Sequence, residues 1–271
     1  MTTTTMRSAS PGTARSATWT VWRVMALVER NMMLYRRSVT PLVFGLVEPV
    51  MYLFTIGFGV GSLVGTVPGV NVRYPVFVAP AILATTAMNT AFNQTSFGVF
   101  SRIKVDLTYE AIVPTPLSAT DIAVGEVTSA VLNGILTSIG FLLAATVMGL
   151  VISPGILLAI PAAALVGFAF AAGGLAVTTF LRDFSDFQLI QLVMLPMYLF
   201  ATTFYPLSTY PGWLRPLIEA LPLYQSIQLI RGPALGSFDV PALMSATCYL
   251  AVFGAVGMII AARRLGKLLL K

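Results

Sequence analysis

Long apolar stretches alternate with short polar ones along this chain, and the pattern predicts a bundle of membrane-spanning helices. A helix needs about 20 apolar residues to cross the hydrocarbon core of a bilayer. Six stretches approach or exceed that length, at about residues 41–62, 76–100, 122–150, 155–181, 187–206 and 241–262. The predicted fold class is therefore all-α and polytopic, with a six-helix transmembrane domain over residues 38–262.

The segment before the first span predicts a helix of a different kind. Residues 18–37 place apolar side chains at helical spacing on one face, namely Val21, Met25, Val28, Met32 and Tyr35. Arg23, Arg30 and Arg37 lie roughly opposite. Such a helix lies along the membrane surface, although a soluble amphipathic helix packed on a partner has the same pattern. The small polar residues 1–17 are expected to form a disordered cytoplasmic tail.

The basic residues are distributed unevenly between the two sides of this topology. One side carries thirteen of the sixteen: Arg7, Arg15, Arg23, Arg30, Arg36, Arg37, Arg102, Lys104, Arg182, Arg263, Arg264, Lys267 and Lys271. An excess of arginine and lysine marks cytoplasmic loops, so we expect both termini in the cytoplasm and residues 263–271 as a basic cytoplasmic tail. Anionic lipid headgroups account for these clusters, and nucleic acid is not an expected partner.

Composition supports a membrane protein and argues against an enzyme. Hydrophobic residues make up 57% of the 271, charged residues 10%, and the mean hydropathy is +0.87. The chain has no histidine and one cysteine, which removes histidine-based nucleophile systems and cysteine metal clusters. A phosphate-binding P-loop needs G-x-x-x-x-G-K-[ST], whereas the one Gly-Lys pair here, at 266–267, is followed by leucine. We therefore expect no ATP hydrolysis on this chain.

A charged, proline-containing stretch between the second and third spans predicts a short stiff helix at the cytoplasmic surface. Arg102, Asp106 and Glu110 share one helical stripe at four-residue spacing. Pro114 and Pro116 then end any helix. The chain restarts at the N-cap candidates Ser118 or Thr120, with Asp121 near the positive end of the next helix dipole.

Polar side chains inside the predicted spans are the candidates for a translocation pathway. Glu48 and Glu126 are acidic groups at a shallow depth, and an intramembrane carboxylate is a functional candidate by default. The alternative for both acids is a structural role, in which the carboxylate reaches the inner headgroups or pairs with Arg36, Arg37 or Arg102. That structural role is expected for Glu126, and Glu48 remains open between the two roles. The polar cluster of the second span, Asn89, Asn93 and Gln94, either hydrogen-bonds between helices or lines the pathway.

In residues 48–65, 101–121 and 194–232, and in the amphipathic arm before the first span, the chain resembles the ABC-2 type transporter permease family. Residues 48–65, "EPVMYLFTIGFGVGSLVG", are similar to the first span of its lipo-oligosaccharide (nodulation) exporter branch. Residues 194–232, "MLPMYLFATTFYPLSTYPGWLRPLIEALPLYQSIQLIRG", resemble the family's signature of a fifth span followed by a proline-rich external turn. The "YPGW" at 210–213 is shared with the daunorubicin-resistance branch. The likeness extends over about residues 18–262.

The resemblance implies an architecture and a set of partners. It implies six spans per subunit, an N-terminal amphipathic interface helix, and a short external re-entrant helical pair before the last span. A second permease, identical or sister, and separate ATPase subunits that bind ATP and Mg are also implied, within the bacterial cell membrane. ATPase coupling is expected from Arg102, Asp106, Tyr109, Glu110, Pro114, Pro116 and Leu117, with Arg182 and Asp183 in a second, smaller contact.

The expected function is that of the permease subunit of an ATP-binding cassette exporter for an amphiphilic drug, lipid or glycolipid. The scarcity of charge within the spans argues against an ion as cargo. A stand-alone channel or secondary transporter is the alternative. That alternative predicts inverted repeats and helices broken at the midplane, which the sequence does not display.

Overall fold

The computed structural model describes residues 24–31, 33, 40–105 and 118–269. Within these ranges the regular structure is helical, apart from one isolated antiparallel bridge between Thr66 and Arg73. The predicted tail 1–17, parts of the predicted interface helix 18–37, and residues 106–117 of the charged stretch lie outside the described residues.

The helices follow the predicted spans closely, and they are labelled here in chain order. The first, α1, has described helical residues 24–31. The others are α2 (Thr40–Phe54), α3 (Gly61–Val64), α4 (Tyr74–Asn93), α5 (Val99–Lys104), α6 (Ala119–Val147), α7 (Ala159–Thr178), α8 (Asp186–Phe200), α9 (Arg215–Glu219), α10 (Pro222–Ala234) and α11 (Val240–Leu269). Wider π-helical turns join α2 to α3 (Thr55–Val60) and α4 to α5 (Gln94–Gly98), and short 3₁₀ turns cover Pro154–Leu158 and Leu207–Thr209.

Five helices in the described part of the chain are long and apolar enough to cross a membrane. They are Gly45–Val64, Tyr74–Lys104, Ala119–Val147, Pro154–Thr178 and Val240–Leu268. These five match the first four predicted spans and the last one. The final helix continues beyond the predicted span end at 262, so Arg263, Arg264 and Lys267 belong to its last turns.

The predicted fifth span, 187–206, corresponds to a shorter helix than the prediction requires. Helix α8 has 15 residues and ends at Phe200, and the next residues bend, with Thr202 at a positive φ of 61°. The buried guanidinium of Arg231 in α10 donates a hydrogen bond to the Thr202 carbonyl oxygen at 2.9 Å. The same group lies 3.9 Å from the centre of the Phe77 ring. Because α8 is shorter than a membrane-spanning helix, a sixth crossing of the membrane stays a prediction.

Two short helices occupy the place of the predicted external pair. Helices α9 and α10 have 5 and 13 residues and begin beside Pro216 and Pro222. Proline suits the first turn of a helix because its missing N–H is not needed there. Their depth in a bilayer, and so their re-entrant character, remains a prediction.

The core of the bundle consists of α4 and α7, which the other long helices surround. Helix α7 is rich in small residues, and this allows its backbone to approach neighbouring helices closely, as is common in membranes. A Cβ placed on Gly257 of α11 would lie 2.9 Å from the backbone of Ala172 in α7. On Gly174 it would lie 2.6 Å from the hydroxyl oxygen of Thr95. Glycine at these two positions sets the spacing of the central helices.

Candidate functional site: a polar cavity and its cytoplasmic supports

A cavity of about 600 Å³ lies between helices α2, α4, α6 and α8. One part of its lining is polar, with carboxylate, amide and hydroxyl groups, and another part is apolar and aromatic. The polar members are Glu48, Thr85, Thr86, Asn89, Thr90, Asn93, Gln94, Asn133, Thr137 and Gln191. A cavity with both kinds of surface fits a ligand that has a polar group joined to an apolar body.

The four residues predicted as pathway candidates all line this one cavity. Glu48 lies on α2, while Asn89, Asn93 and Gln94 lie on α4 and the turn that follows it. Glu48, Asn89 and Asn93 are exposed to the cavity space, whereas Gln94 is buried. The helix packing brings together residues that are more than 40 positions apart in the chain.

Gln94 combines a helix-to-helix hydrogen bond with an unused donor. The Asn133 side-chain amide of α6 donates to its Oε1 at 3.1 Å, so the interhelical role considered from sequence is present for this residue. Its Nε2, however, is buried without a hydrogen-bond partner among the described residues. The sequence analysis did not identify Asn133 or Thr137 as lining residues, although both are polar positions within a predicted span.

A π-helical turn shapes the wall of the cavity at Gln94–Gly98. The Thr178 hydroxyl of α7 lies 3.0 Å from the Thr95 carbonyl oxygen and 3.2 Å from that of Ser96. Gly174 allows this approach because it has no side chain between the two helices. The hydroxyl compensates for the altered ladder of backbone hydrogen bonds, and such turns are frequent at functional sites.

Four phenylalanines connect the cavity to the turn between α7 and α8. Phe97 lines the cavity, and its ring lies 5.9 Å from that of Phe184 and 5.5 Å from that of Phe187, centre to centre. The Phe100 ring lies 5.0 Å and 5.3 Å from the same two rings. The turn predicted to contact an ATPase is therefore packed directly on a residue of the cavity wall. The sequence analysis did not identify these aromatic contacts.

The charged residues of that turn lie on its exposed side. Arg182 and Asp183 are both exposed, and their backbone N–H groups donate to the Asp186 carboxylate at 2.7 Å and 3.2 Å. These bonds hold the pKa of Asp186 below its usual range. The turn thus has a fixed shape, with the two predicted coupling side chains directed away from the bundle.

A buried carboxylate joins three helices at the same end of the bundle. Glu126 of α6 is fully buried and accepts hydrogen bonds from Arg102 Nη1 at 2.5 Å and from Asn31 Nδ2 at 3.1 Å. Arg30 Nη2 lies 3.5 Å from its other oxygen. Asn31 also donates to the Ser129 hydroxyl at 3.2 Å. The structure confirms the expected pairing of Glu126 with Arg102, and it adds Arg30, Asn31 and Ser129, which the sequence analysis did not identify.

The cluster around Glu126 gives Arg102 and helix α1 contacts that the sequence analysis did not predict. Arg102, predicted as a coupling residue, is directed toward Glu126 and anchors the end of α5 to α6. In α1, the residues packed against the bundle are Leu27 and Asn31, both buried, and Arg30 reaches inward. The predicted apolar face is more accessible, since Met25 is 62% exposed. That exposed apolar side is compatible with contact with lipid.

The remaining predicted coupling residues lie outside the described residues. They are Asp106, Tyr109, Glu110, Pro114, Pro116 and Leu117. Ser118, directly after them, is described, and it forms a capping box: its hydroxyl accepts from Asp121 N at 3.1 Å, and Asp121 Oδ2 accepts from Ser118 N at 3.0 Å. The predicted restart of the chain at Ser118 is confirmed.

The described basic residues separate to opposite ends of the bundle, as the predicted topology requires. Glu126 holds Arg30 and Arg102 at one end, and Arg264 lies there as well, with its guanidinium 3.7 Å from the Phe180 ring centre and 3.3 Å from the Thr179 carbonyl oxygen. Arg73, at the start of α4, lies at the other end. Among the described residues, no three histidine, cysteine, aspartate or glutamate side chains are grouped to hold a metal ion.

Comparison with known proteins gives a consistent family assignment. The model of the family described as "ABC-2 type transporter" matches residues 23–235. The chain is 35% identical over 245 residues to "Nodulation protein J" of Sinorhizobium fredii, which covers 88% of this chain and 93% of that relative. It is 33% identical over 214 residues to the protein of the same name from Rhizobium leguminosarum bv. viciae, covering 78% and 82%. It is also 22% identical over 237 residues to "Probable doxorubicin resistance ABC transporter permease protein DrrC" of Mycobacterium tuberculosis, covering 83% and 82%.

Proposed function

Because this chain belongs to the ABC-2 type transporter family, we propose that it is the membrane-spanning permease subunit of an ATP-driven exporter in a bacterial cell membrane. Its cargo is an amphiphilic drug, lipid or glycolipid taken from the cytoplasm or the inner leaflet. A separate ATPase subunit, which binds ATP and Mg, supplies the energy. A second permease, identical or sister, completes the pathway.

The observation that carries this proposal is the cavity between α2, α4, α6 and α8. Its volume of about 600 Å³ falls within the range of small-molecule sites, about 300–1,000 Å³. The lining combines amide and hydroxyl groups with apolar and aromatic groups. Glu48, Asn89, Asn93 and Gln94 are assigned to the pathway on this ground.

Two contacts give the ATPase a mechanical route to the cavity. The predicted coupling stretch 101–118 begins within α5, and Arg102 of that helix forms an ion pair with Glu126 in α6. The turn that carries Arg182 and Asp183 presses Phe184 and Phe187 against the cavity residue Phe97. Closure of two ATPase subunits on ATP would push on both segments, and the packed side chains would transmit that movement to α4, α6 and α8. Both termini face the cytoplasm in this arrangement, on the side of the basic cluster.

The alternative, a stand-alone channel or secondary transporter, differs in its energy source. Inverted membrane vesicles that contain the chain and its ATPase should accumulate a fluorescent amphiphile when ATP is supplied. Vanadate should stop accumulation, whereas an uncoupler of the proton gradient should leave it intact. The reverse pattern would establish a secondary transporter, and equilibration of the amphiphile without accumulation under either condition would establish a channel.

The pathway and the coupling segment can be separated by two variants in the same vesicles. Asn93→Leu should lower transport several-fold while the ATPase still co-purifies, because it removes a cavity amide without touching the cytoplasmic surface. Glu110→Lys should abolish both transport and co-purification. Thr247→Val, on an exposed face of α11, is the matched control and should behave as the unmodified chain. Normal transport by Glu110→Lys would contradict the coupling assignment.

A further inference from the structure

The charge of the cavity wall restricts which amphiphiles fit it. Among the residues that line it, the ionisable ones are Glu48, Tyr52 and Tyr198, and none is lysine or arginine. An anionic headgroup would meet a carboxylate and no cation. A cationic group would meet a carboxylate and electron-rich rings.

Glu48 has no internal counter-charge in the part of the chain that the structure describes. The ion pairs found there, Arg30–Glu126 and Arg102–Glu126, both use the other intramembrane acid. A carboxylate at this depth is costly unless a positive group or water satisfies it. The two acids that look alike in sequence therefore differ in structure, since Glu126 is neutralised within the bundle and Glu48 faces open cavity space.

Aromatic rings complete a site of the kind that binds organic cations. Tyr52 follows Glu48 by one helical turn on the same side of α2. Tyr198 of α8 and Phe97 line the same cavity. Ring faces attract ammonium groups, most strongly where water is excluded, and a nearby carboxylate adds a direct charge–charge attraction.

Neutral polar groups open to a bound molecule lie on α4. Asn89 and Asn93 line the cavity and are exposed to it. Gln94 is only 6% exposed, and its Nε2 is buried, so this nitrogen is closed off from the cavity space. Amide groups of the kind that Asn89 and Asn93 present can donate to a carbonyl or hydroxyl oxygen of the bound molecule.

Building on the proposed exporter function, we propose that the cavity binds amphiphiles with a cationic nitrogen and that Glu48 is the residue that selects for this charge. The cationic nitrogen pairs with the Glu48 carboxylate between the aromatic rings. The neutral polar part of the molecule contacts the amides of α4, and the apolar part lies along α8. Anionic amphiphiles are disfavoured because the wall offers them no positive partner.

Three fluorescent amphiphiles with the same dodecyl chain and reporter test this assignment. Their headgroups are trimethylammonium, maltoside and sulfate, and binding to the full chain in phosphatidylcholine nanodiscs is followed by anisotropy, with empty nanodiscs subtracted. We expect the ammonium probe to bind most tightly and the sulfate probe most weakly. Glu48→Gln removes the charge–charge attraction to the quaternary nitrogen, which has no N–H to donate, and should weaken ammonium binding about tenfold; Glu48→Asp should retain part of the affinity.

Matched variants distinguish charge selection from a general effect. Glu219→Gln removes an exposed carboxylate on α9, away from the cavity, and should leave all three affinities unchanged. Ammonium binding that is equal in the unmodified chain and Glu48→Gln would overturn the assignment, as would sulfate binding as tight as ammonium binding. If either of these results overturned the role of Glu48 while the maltoside probe still bound equally to the unmodified chain and to Glu48→Gln, the exporter proposal would remain intact. Failure of all three probes to bind would contradict the cavity as the pathway and the selection at Glu48 together.

Discussion

Removing the buried carboxylate of Glu126 should destabilise the cytoplasmic end of the bundle. In Glu126→Ala, the Arg102 guanidinium and the Asn31 amide both lose this acceptor, and Arg30 loses its nearest negative charge. Loss of one partner of a buried ion pair costs about 3–5 kcal/mol. The Arg30 and Arg102 side chains keep 32% and 14% of their exposure, so water can reach them. We therefore expect the lower end, about 3 kcal/mol, which is roughly a hundredfold change in the unfolding equilibrium.

A double-mutant cycle with Arg102→Ala tests whether the cost comes from the pair itself. The free energy of unfolding is measured by titrating purified protein in mixed micelles with sodium dodecyl sulfate and following helicity by circular dichroism. The double variant should cost less than the sum of the two single ones by about 1–3 kcal/mol, as for residues in direct contact. Glu219→Ala, at an exposed site, is the control and should stay within about 0.5 kcal/mol of the unmodified chain. Additive single costs would refute the assignment of Glu126 as the link between these helices.

Two further predictions concern helix packing and capping, measured by the same titration. Gly257→Ala should cost about 1–3 kcal/mol, as for overpacked sites, because its Cβ would lie 2.9 Å from the backbone of the neighbouring helix. The control Gly59→Ala, where no atom lies within 4 Å of the added Cβ, should leave the free energy of unfolding nearly unchanged. Equal effects of the two variants would show that the close approach of the helices at Gly257 is not rigid. Ser118→Ala should cost about 1 kcal/mol through loss of the N-cap, whereas Ser118→Asp should retain most of the stability. An unchanged free energy of unfolding in Ser118→Ala would show that the capping box does not stabilise the start of α6.

The spans were largely predictable because crossing a bilayer is a local requirement. Each helix must be apolar over its own length, whatever it packs against, so five of the six predicted stretches have helices of spanning length at nearly the predicted positions. The exception, α8, ends at Phe200. In the bend just beyond that end, the Arg231 guanidinium donates a hydrogen bond to the Thr202 carbonyl oxygen, a contact between residues 29 positions apart. A hydropathy pattern carries no record of such a contact.

The candidate site was predictable in its residue types but not in its arrangement. Polar groups within apolar stretches are conspicuous, so Glu48, Asn89, Asn93 and Gln94 could be selected from the sequence. Their convergence on one cavity depends on how α2, α4 and α8 pack. Phe97 could not be selected at all, because an aromatic residue in an apolar stretch has no distinguishing mark.

The sequence by itself determined the all-helical class, the positions of most spans and the separation of basic residues between two ends, since each follows from composition along a short segment. Only the tertiary structure decided the different roles of the two intramembrane acids. Glu126 lies where arginines from two other segments converge on it, and Glu48 lies on a cavity wall that, among the described residues, carries no lysine or arginine. The free energy of a buried charge depends on its neighbours in space, and those neighbours are set by helix packing across many tens of residues.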